Sequence, residues 1–245
     1  MDSGYYAACS GLVSRTEALD TIANNLANVT TSGFRARQNV FSSILATTGK
    51  SPLSMLNQDE NDYGVLTDTR LDVSQGALVK TGNDLDVAIE GPGYIPVQTA
   101  AGLAYTRGGN LHVSPQGLLV TPGGDPVQGQ NGSIAMIGAP VSISADGTIS
   151  VNGGITGKLK LVEFAATVTL HNIGNNYYVA PANTATVATS SQVRQGSLEA
   201  SNVNPMTSVV ELITAQREVE TMRRVLTMFN SEMDKTAAQD LPHVA

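Results

Sequence analysis

The 245-residue chain is poor in charge, nearly free of cysteine and without a long apolar run. Only 14% of its residues are charged, well below the roughly one quarter usual in soluble domains. Hydrophobic residues make up 41%, so a packed core is possible and wholesale disorder is excluded. The single cysteine, Cys9, rules out a disulfide framework within the chain. No apolar stretch approaches the ~20 residues that a membrane-spanning helix needs. The five lysines are scattered, no basic run alternates with aromatics, and net charge is −7. A phosphate backbone or an anionic membrane needs clustered cations, so neither is an expected partner. Met1-Asp-Ser-Gly-Tyr-Tyr6 has no basic n-region and no apolar h-region. The expectation is a protein that stays in the cytoplasm or leaves by a route that cleaves no signal.

The charge shortage is greatest in the middle. Residues 76–193 hold four basic side chains (Lys80, Arg107, Lys158, Lys160) and six acidic ones (Asp84, Asp86, Glu90, Asp125, Asp146, Glu163). A freely diffusing monomer usually carries more. A subunit walled in by neighbours need not.

The two ends carry helical patterns. Near the start, Tyr5, Leu12, Leu19 and Leu26 recur every seven residues, and Ile22 and Val29 fall three positions after two of them. That a/d-type stripe predicts a helix from about Ser3 to about Asn28. It stops at Thr30-Thr-Ser-Gly33, where the glycine suits positive φ. Near the end, Asn204-Pro205 spells an N-cap and a first-turn proline. Ser208-Val-Val-Glu211 is a capping-box spelling slightly further in. Leu212, Val219, Leu226 and Met233 repeat every seven residues, with Ala215, Met222 and Phe229 three later. Pro242 closes the segment. About 30 residues of helix make a rod of ~45 Å. Its apolar stripe needs a partner along the whole length.

Between the ends the pattern is β. Val141-Ser-Ile-Ser, Ala-Asp146-Gly147 and Thr-Ile-Ser-Val151 read as an alternating hairpin with an Asp-Gly turn. Further strands are expected at 86–89, 94–98, 103–107, 118–120, 159–164 and 177–179. Pro96 cannot donate to a ladder, which predicts an edge or a bend. The fold class is α+β: terminal helices (1–30 and 204–240) pairing in coiled-coil fashion, an extended connecting arm (31–75 and 194–203) and a central all-β domain (76–193).

Catalytic and metal signals fail one by one. His112, His171 and His243 share no ligand spacing with one another or with Cys9. Gly153-Gly-Ile-Thr-Gly157-Lys158 lacks the first glycine and the hydroxyl of a phosphate loop, having Asn152 and Leu159 there. Asp59-Glu-Asn61-Asp-Tyr63-Gly64 begins like a calcium loop, but Tyr63 and Arg70 occupy ligand positions. Asp84 and Asp86 could do acid–base work in a wall-processing hydrolase, yet turn and ladder roles fit them better. The expectation is no enzyme, no cofactor and no metal.

Three blocks carry a resemblance. Ile22-Ala-Asn-Asn-Leu-Ala-Asn-Val-Thr-Thr-Ser-Gly-Phe-Arg-Ala36 resembles the signature of the flagellar basal-body rod and hook family. Thr81-Gly-Asn-Asp-Leu-Asp-Val-Ala-Ile-Glu-Gly-Pro-Gly-Tyr94, continuing to Tyr105-Thr-Arg107 and Gly117–Thr121, looks like its central block. Gln195-Gly-Ser-Leu-Glu-Ala-Ser-Asn-Val-Asn-Pro205 with Glu211–Arg217 looks like its C-terminal block. Residues 125–190 match weakly. The family commonly has two aromatics after Gly-x-Gly where Ile95 and Pro96 follow Tyr94, and an aromatic where Leu111 stands, so local β packing there is expected to differ.

The resemblance implies a structural subunit of the rod, most like a proximal-rod member, with distal-rod or hook-type members as alternatives. A β-rich adhesin with a coiled-coil stalk would also use terminal heptads but leaves the Asn-rich block unexplained. The family's members leave through the flagellar type III export apparatus without signal cleavage. They polymerise helically with copies of themselves and other rod proteins, terminal helices forming the inner tube, in the periplasm inside surrounding ring proteins. Its signature falls here on Asn24, Asn25, Leu26, Asn28, Gly33, Phe34, Asn202, Asn204 and Pro205. The assembly interface is expected on Leu12, Leu19, Ile22, Leu26, Val29, Leu212, Ala215, Val219, Met222, Leu226, Phe229 and Met233. Asn24, Asn25 and Asn28 are expected to hydrogen-bond backbone where the first helix turns into the arm.

Overall fold

Helical periodicity at both ends and alternation between them translate directly into structure. A computed structural model of the protein describes residues 2–44, 63–136, 138 and 140–240. Helix α1 spans Asp2–Ala27 and helix α2 spans Pro205–Asp240. The α2 cap is Asn204, whose Oδ1 accepts the N–H of Met206 at 3.0 Å and of Thr207 at 3.4 Å. These are first-turn donors with no intrahelical acceptor. Ser208 lies a turn inside, its N–H on the Asn204 carbonyl, so the Ser208–Glu211 spelling is not the cap. Pro242, His243 and the Asp59–Asp62 part of the calcium-like run lie outside the described residues. Among the described residues no helix is long and apolar enough to cross a membrane.

The chain divides into two units. The first comprises Met1–Leu26, Arg37–Arg70 and Asn204–Ala245; the second comprises Ala27–Ala36 and Leu71–Val203. The stretch read as an extended arm contributes strands Arg37–Ile44 and Tyr63–Leu71, paired as a two-stranded sheet.

The second unit is built of short strands. Val141–Ile143 and Thr148–Val151 pair antiparallel with Val141 opposite Val151 and Ile143 opposite Ile149, the expected hairpin, and Gly154–Lys158 adds a third strand. At its turn, Gly147 has φ +84°. Asp146 accepts the Thr148 hydroxyl at 2.8 Å and the Lys158 ammonium at 2.9 Å. The hydrogen bonds from Lys158 and then Thr148 hold the Asp146 carboxyl down at about 2. A folded value below the unfolded one means the interaction supports folding at neutral pH and is lost as pH falls from about 4 through about 2. Lys158→Met is expected to return the Asp146 pKa, followed by NMR titration, toward 3.8.

Ile95–Thr99 is the edge of a four-stranded sheet whose order continues through Gly102–Thr106 and Tyr177–Val179 to His171–Gly174. Pro96 therefore sits on an edge strand, opposite Tyr105, as its missing N–H requires. Ile95 and Leu111 fill the main core with Val87, Ile89, Val97, Leu119, Val127 and Ile149. Tyr94, Tyr105, Val162 and Tyr178 form a second cluster. In it the Tyr94 ring meets Phe164 and Tyr178 edge-on at 5.6 and 5.9 Å, the favoured quadrupole geometry.

Candidate functional site

The terminal helices touch each other within the first unit. A Cβ on Gly11 would lie 3.3 Å from the terminal methyl of Met222, and Arg15 Nη1 lies 3.0 Å from Glu218 Oε2. Four residues forward on α1 correspond to four back on α2, so the helices run antiparallel at this contact. That register sets Ser14 level with Val219 and Ala18 level with Ala215, and all four are buried. The Arg15–Glu218 pair is nearly half exposed on both sides, and such pairs contribute at most ~1 kcal/mol.

The seven-residue stripe lies beside this seam on α1. Leu12, Leu19, Ile22 and Leu26 are half-buried, while Ala8, Ser14 and Ala18 are the deepest positions. On α2, Ala215 and Val219 are buried, Leu212, Met222 and Leu226 half-buried, and Phe229 exposed. The Met233 side chain lies outside the described residues. Val29 is half-buried in the second unit. The opposite face of α2 presents Met206 at 78% exposure, Val210 at 64% and Met228 at 67%. A single chain thus leaves much apolar helix surface open to water.

Among the signature asparagines, the side chains of Asn25, Asn202 and Asn204 bind backbone groups. Asn25 makes a two-pronged clamp on Arg37, accepting its N–H at 2.9 Å and donating to its carbonyl at 2.8 Å. Asn28 Oδ1 accepts the Thr31 hydroxyl at 3.1 Å, and its carbonyl accepts the Thr31 N–H. Asn24 is exposed. Asn202 binds two other segments of the second unit. Its Oδ1 accepts the Ala36 N–H at 2.7 Å, and its Nδ2 donates to the carbonyls of Asp72 and Ser74, each at 3.1 Å.

Sequence reading missed the group at the centre of this region. Arg35, Arg107 and Glu199 come one from each of the three matching blocks and meet in the interior, at 1–2% side-chain exposure. Arg35 Nη2 lies 2.8 Å from Glu199 Oε1, and Arg107 Nε lies 3.5 Å from Oε2, an ionic contact longer than a hydrogen bond. Glu199 Oε1 also accepts the Gly76 N–H at 3.0 Å. Arg107 donates to the Gly91 carbonyl at 2.6 Å and lies 5.4 Å from the Tyr94 ring centroid. Burial pulls the Arg107 guanidinium below its ordinary range, and Glu199 acts in the opposite direction. The available signal was a pair of arginines and a glutamate fixed in matching blocks, Arg107 being one of only four bases in the charge-poor middle.

Gly33 closes the same cluster. It has φ +70°, its N–H donates to the Glu199 carbonyl at 2.7 Å, and a Cβ there would be driven into the Arg107 carbonyl group. Gly33→Ala combines backbone strain with a clash. It is expected to destabilise the second unit by about 2–4 kcal/mol, read as a lowered urea midpoint. A loss below about 1 kcal/mol would show that the approach can relax.

The other candidates take structural positions. Asp86 is buried and accepts from Thr81 Oγ1 at 2.6 Å and Asn83 Nδ2 at 3.1 Å, closing a turn. Gly154–Lys158 is a strand rather than a phosphate cradle. His112 and His171 are exposed and Cys9 is half-buried. Among the described residues no group of His, Cys, Asp or Glu could hold a metal.

Comparison with known proteins agrees with the three blocks. Residues 6–35 match the family described as flagella basal body rod protein, residues 88–151 the flagellar hook protein FlgE/F/G D1 domain, and residues 194–240 the flagellar basal body rod FlgEFG protein C-terminal. The chain is 33% identical to the flagellar basal-body rod protein FlgF of Caulobacter vibrioides over 98% of both chains. It is 32% identical to FlgF of Escherichia coli, covering 92% of this chain and 93% of that one. It is also 32% identical to FlgG of Bacillus subtilis, covering 91% and 93%. The chain belongs to the flagellar basal-body rod protein family, a structural subunit of the rod most like the members named FlgF, with FlgG also near.

Proposed function

We propose that the chain polymerises helically with rod subunits and that its terminal helices complete their packing only in the assembly. The observation that carries this reading is the open apolar surface of the helix pair: Met206, Val210, Ile213 and Met228 face water in the single chain, and the Leu12–Leu19–Leu26 row is only half covered. Repeated head-to-tail contacts are heterologous and build a filament rather than a closed dimer. In the filament, α1 and α2 extend their seam into coiled-coil-like packing over Leu12, Leu19, Ile22, Leu26, Leu212, Ala215, Val219, Met222, Leu226, Phe229 and Met233; Val29, expected on the same stripe, lies past the end of α1 in the second unit.

Helices held mainly by packing are marginal when that packing is incomplete. Folding of the ends is therefore coupled to incorporation. This suits passage through the flagellar type III export apparatus without signal cleavage, and it delays polymerisation until the subunit reaches the growing rod. The β unit then lies outside the tube, in the periplasm, where it meets ring proteins. The role is mechanical and not enzymatic, transmitting torque as a proximal-rod subunit.

Limited proteolysis of the purified monomer tests the coupling. Residues 31–36 are hydrogen-bonded into the β unit. The expected resistant fragment therefore runs from about residue 27 to about residue 203. Uniform resistance of both helices in a monodisperse monomer would reject the reading.

A further inference from the structure

The chain enters or leaves the β unit four times, at 26/27, 36/37, 70/71 and 203/204. The first passage through the β unit, residues 27–36, and the segment before the last exit are tied directly to each other. Gly33 N–H donates to the Glu199 carbonyl at 2.7 Å, and Asn202 N–H donates to the Phe34 carbonyl at 3.3 Å. Ala36 N–H donates to Asn202 Oδ1 at 2.7 Å, and Arg35 pairs with Glu199 at 2.8 Å. The backbone partners advance together, from Gly33 with Glu199 to Phe34 with Asn202, so the segments run parallel. The two inner crossings join the same place, because Asp72 N–H donates to the Ala36 carbonyl at 2.8 Å and Asn202 Nδ2 donates to the Asp72 and Ser74 carbonyls.

We infer that residues 33–36 and 199–202 form a shear clamp that takes tension applied through the terminal helices and keeps it from the β core. Parallel segments that are tied side by side and pulled from opposite ends load all their links at once. An antiparallel hairpin pulled at its open end loses its links one by one. Here the pull enters at residue 27, ahead of the first segment, and leaves at residue 203, just past the second, which is the shearing arrangement. The buried Arg35–Glu199 pair joins the start of the second segment to the first and is shielded from water, where an ion pair resists separation most. The mechanical purpose rests on the torque-transmitting role proposed above; the clamp itself is a property of the lone chain.

Single-molecule pulling on the full chain by its two ends tests it. The terminal helices should extend at low force, followed by one high-force event releasing the β unit. The double variant Glu199→Gln/Asn202→Ala weakens two of the four links between the segments, so the force of that event should fall by about twofold. Ile149→Ala removes buried volume in the same unit at a site outside both segments. It should lower the thermal midpoint and leave the force within error of wild type. Should Asn202→Ala alone or Glu199→Gln alone be the only variant that folds, its force must still fall below that of Ile149→Ala. A force that tracks thermal stability across all variants, or a wild-type β unit released without a distinct high-force event, would overturn the clamp. Neither result depends on assembly, so failure here leaves the rod-subunit reading intact. Failure of that reading would show instead as unimpaired rod assembly in the helix variant discussed below.

Discussion

Glu199→Ala is expected to cost the β unit about 3–5 kcal/mol, the range for removing one partner of a buried ion pair. The side chain is 1% exposed and is the only carboxylate placed against Arg35 and Arg107 among the described residues. Removing it leaves two guanidinium groups facing each other without an anion, and strips the Gly76 N–H of its acceptor. Domain stabilities are typically 5–15 kcal/mol in all, so the variant should sit near the edge of folding. Arg35→Ala should cost less, about 1–3 kcal/mol, because Glu199 keeps Arg107 as a partner and the cluster becomes neutral. The ordering of the two urea midpoints is the informative result. Equal losses would mean that packing rather than charge balance governs the site.

Leu226→Asp is expected to abolish incorporation into the rod while leaving the β unit untouched. Leu226 is half-buried beside the α1–α2 seam. In the single chain an aspartate there can turn its carboxylate to water, at the modest cost of a poorer helix former. In the packing proposed above the same position is covered, and an unpaired buried carboxylate would cost several kcal/mol per subunit. Repetition along a filament multiplies that penalty. Glu220→Ala is the comparison, since Glu220 is exposed and engaged only with Arg224 one turn on. It should assemble normally. Basal bodies isolated from cells carrying each variant, probed for the subunit, give the answer. Normal incorporation of Leu226→Asp would remove the role assigned to the α2 stripe.

Much of the fold is legible in the sequence because its signals are local. Asn204 and Pro205 mark the start of α2 because first-turn donors need an outside acceptor and proline has none to lose. Asp146-Gly147 marks a hairpin because only a few residues tolerate its turn. Pro96 marks an edge because it lacks a ladder donor. The Gly33 backbone is legible for the same reason. What stays hidden depends on long-range pairing. Arg35, Arg107 and Glu199 are separated by up to 164 positions, and nothing in their spacing says that they share one carboxylate. The face of α1 that meets α2 is also not the most hydrophobic one. It carries the small residues Ala8, Gly11, Ser14 and Ala18, which a search for leucine periodicity passes over. The arm reads as irregular because its strands, Arg37–Ile44 and Tyr63–Leu71, pair with each other across a long separation in sequence.

Amide hydrogen exchange, compared between the purified subunit and the assembled rod, tests the central claim most directly. Coupled ordering predicts fast exchange over 2–26 and 206–240 in the free subunit, with slow exchange at Val87–Glu90 and Ile95–Thr99. It predicts strong protection of both helices after incorporation. Equal, strong protection of the helices before and after assembly would contradict it.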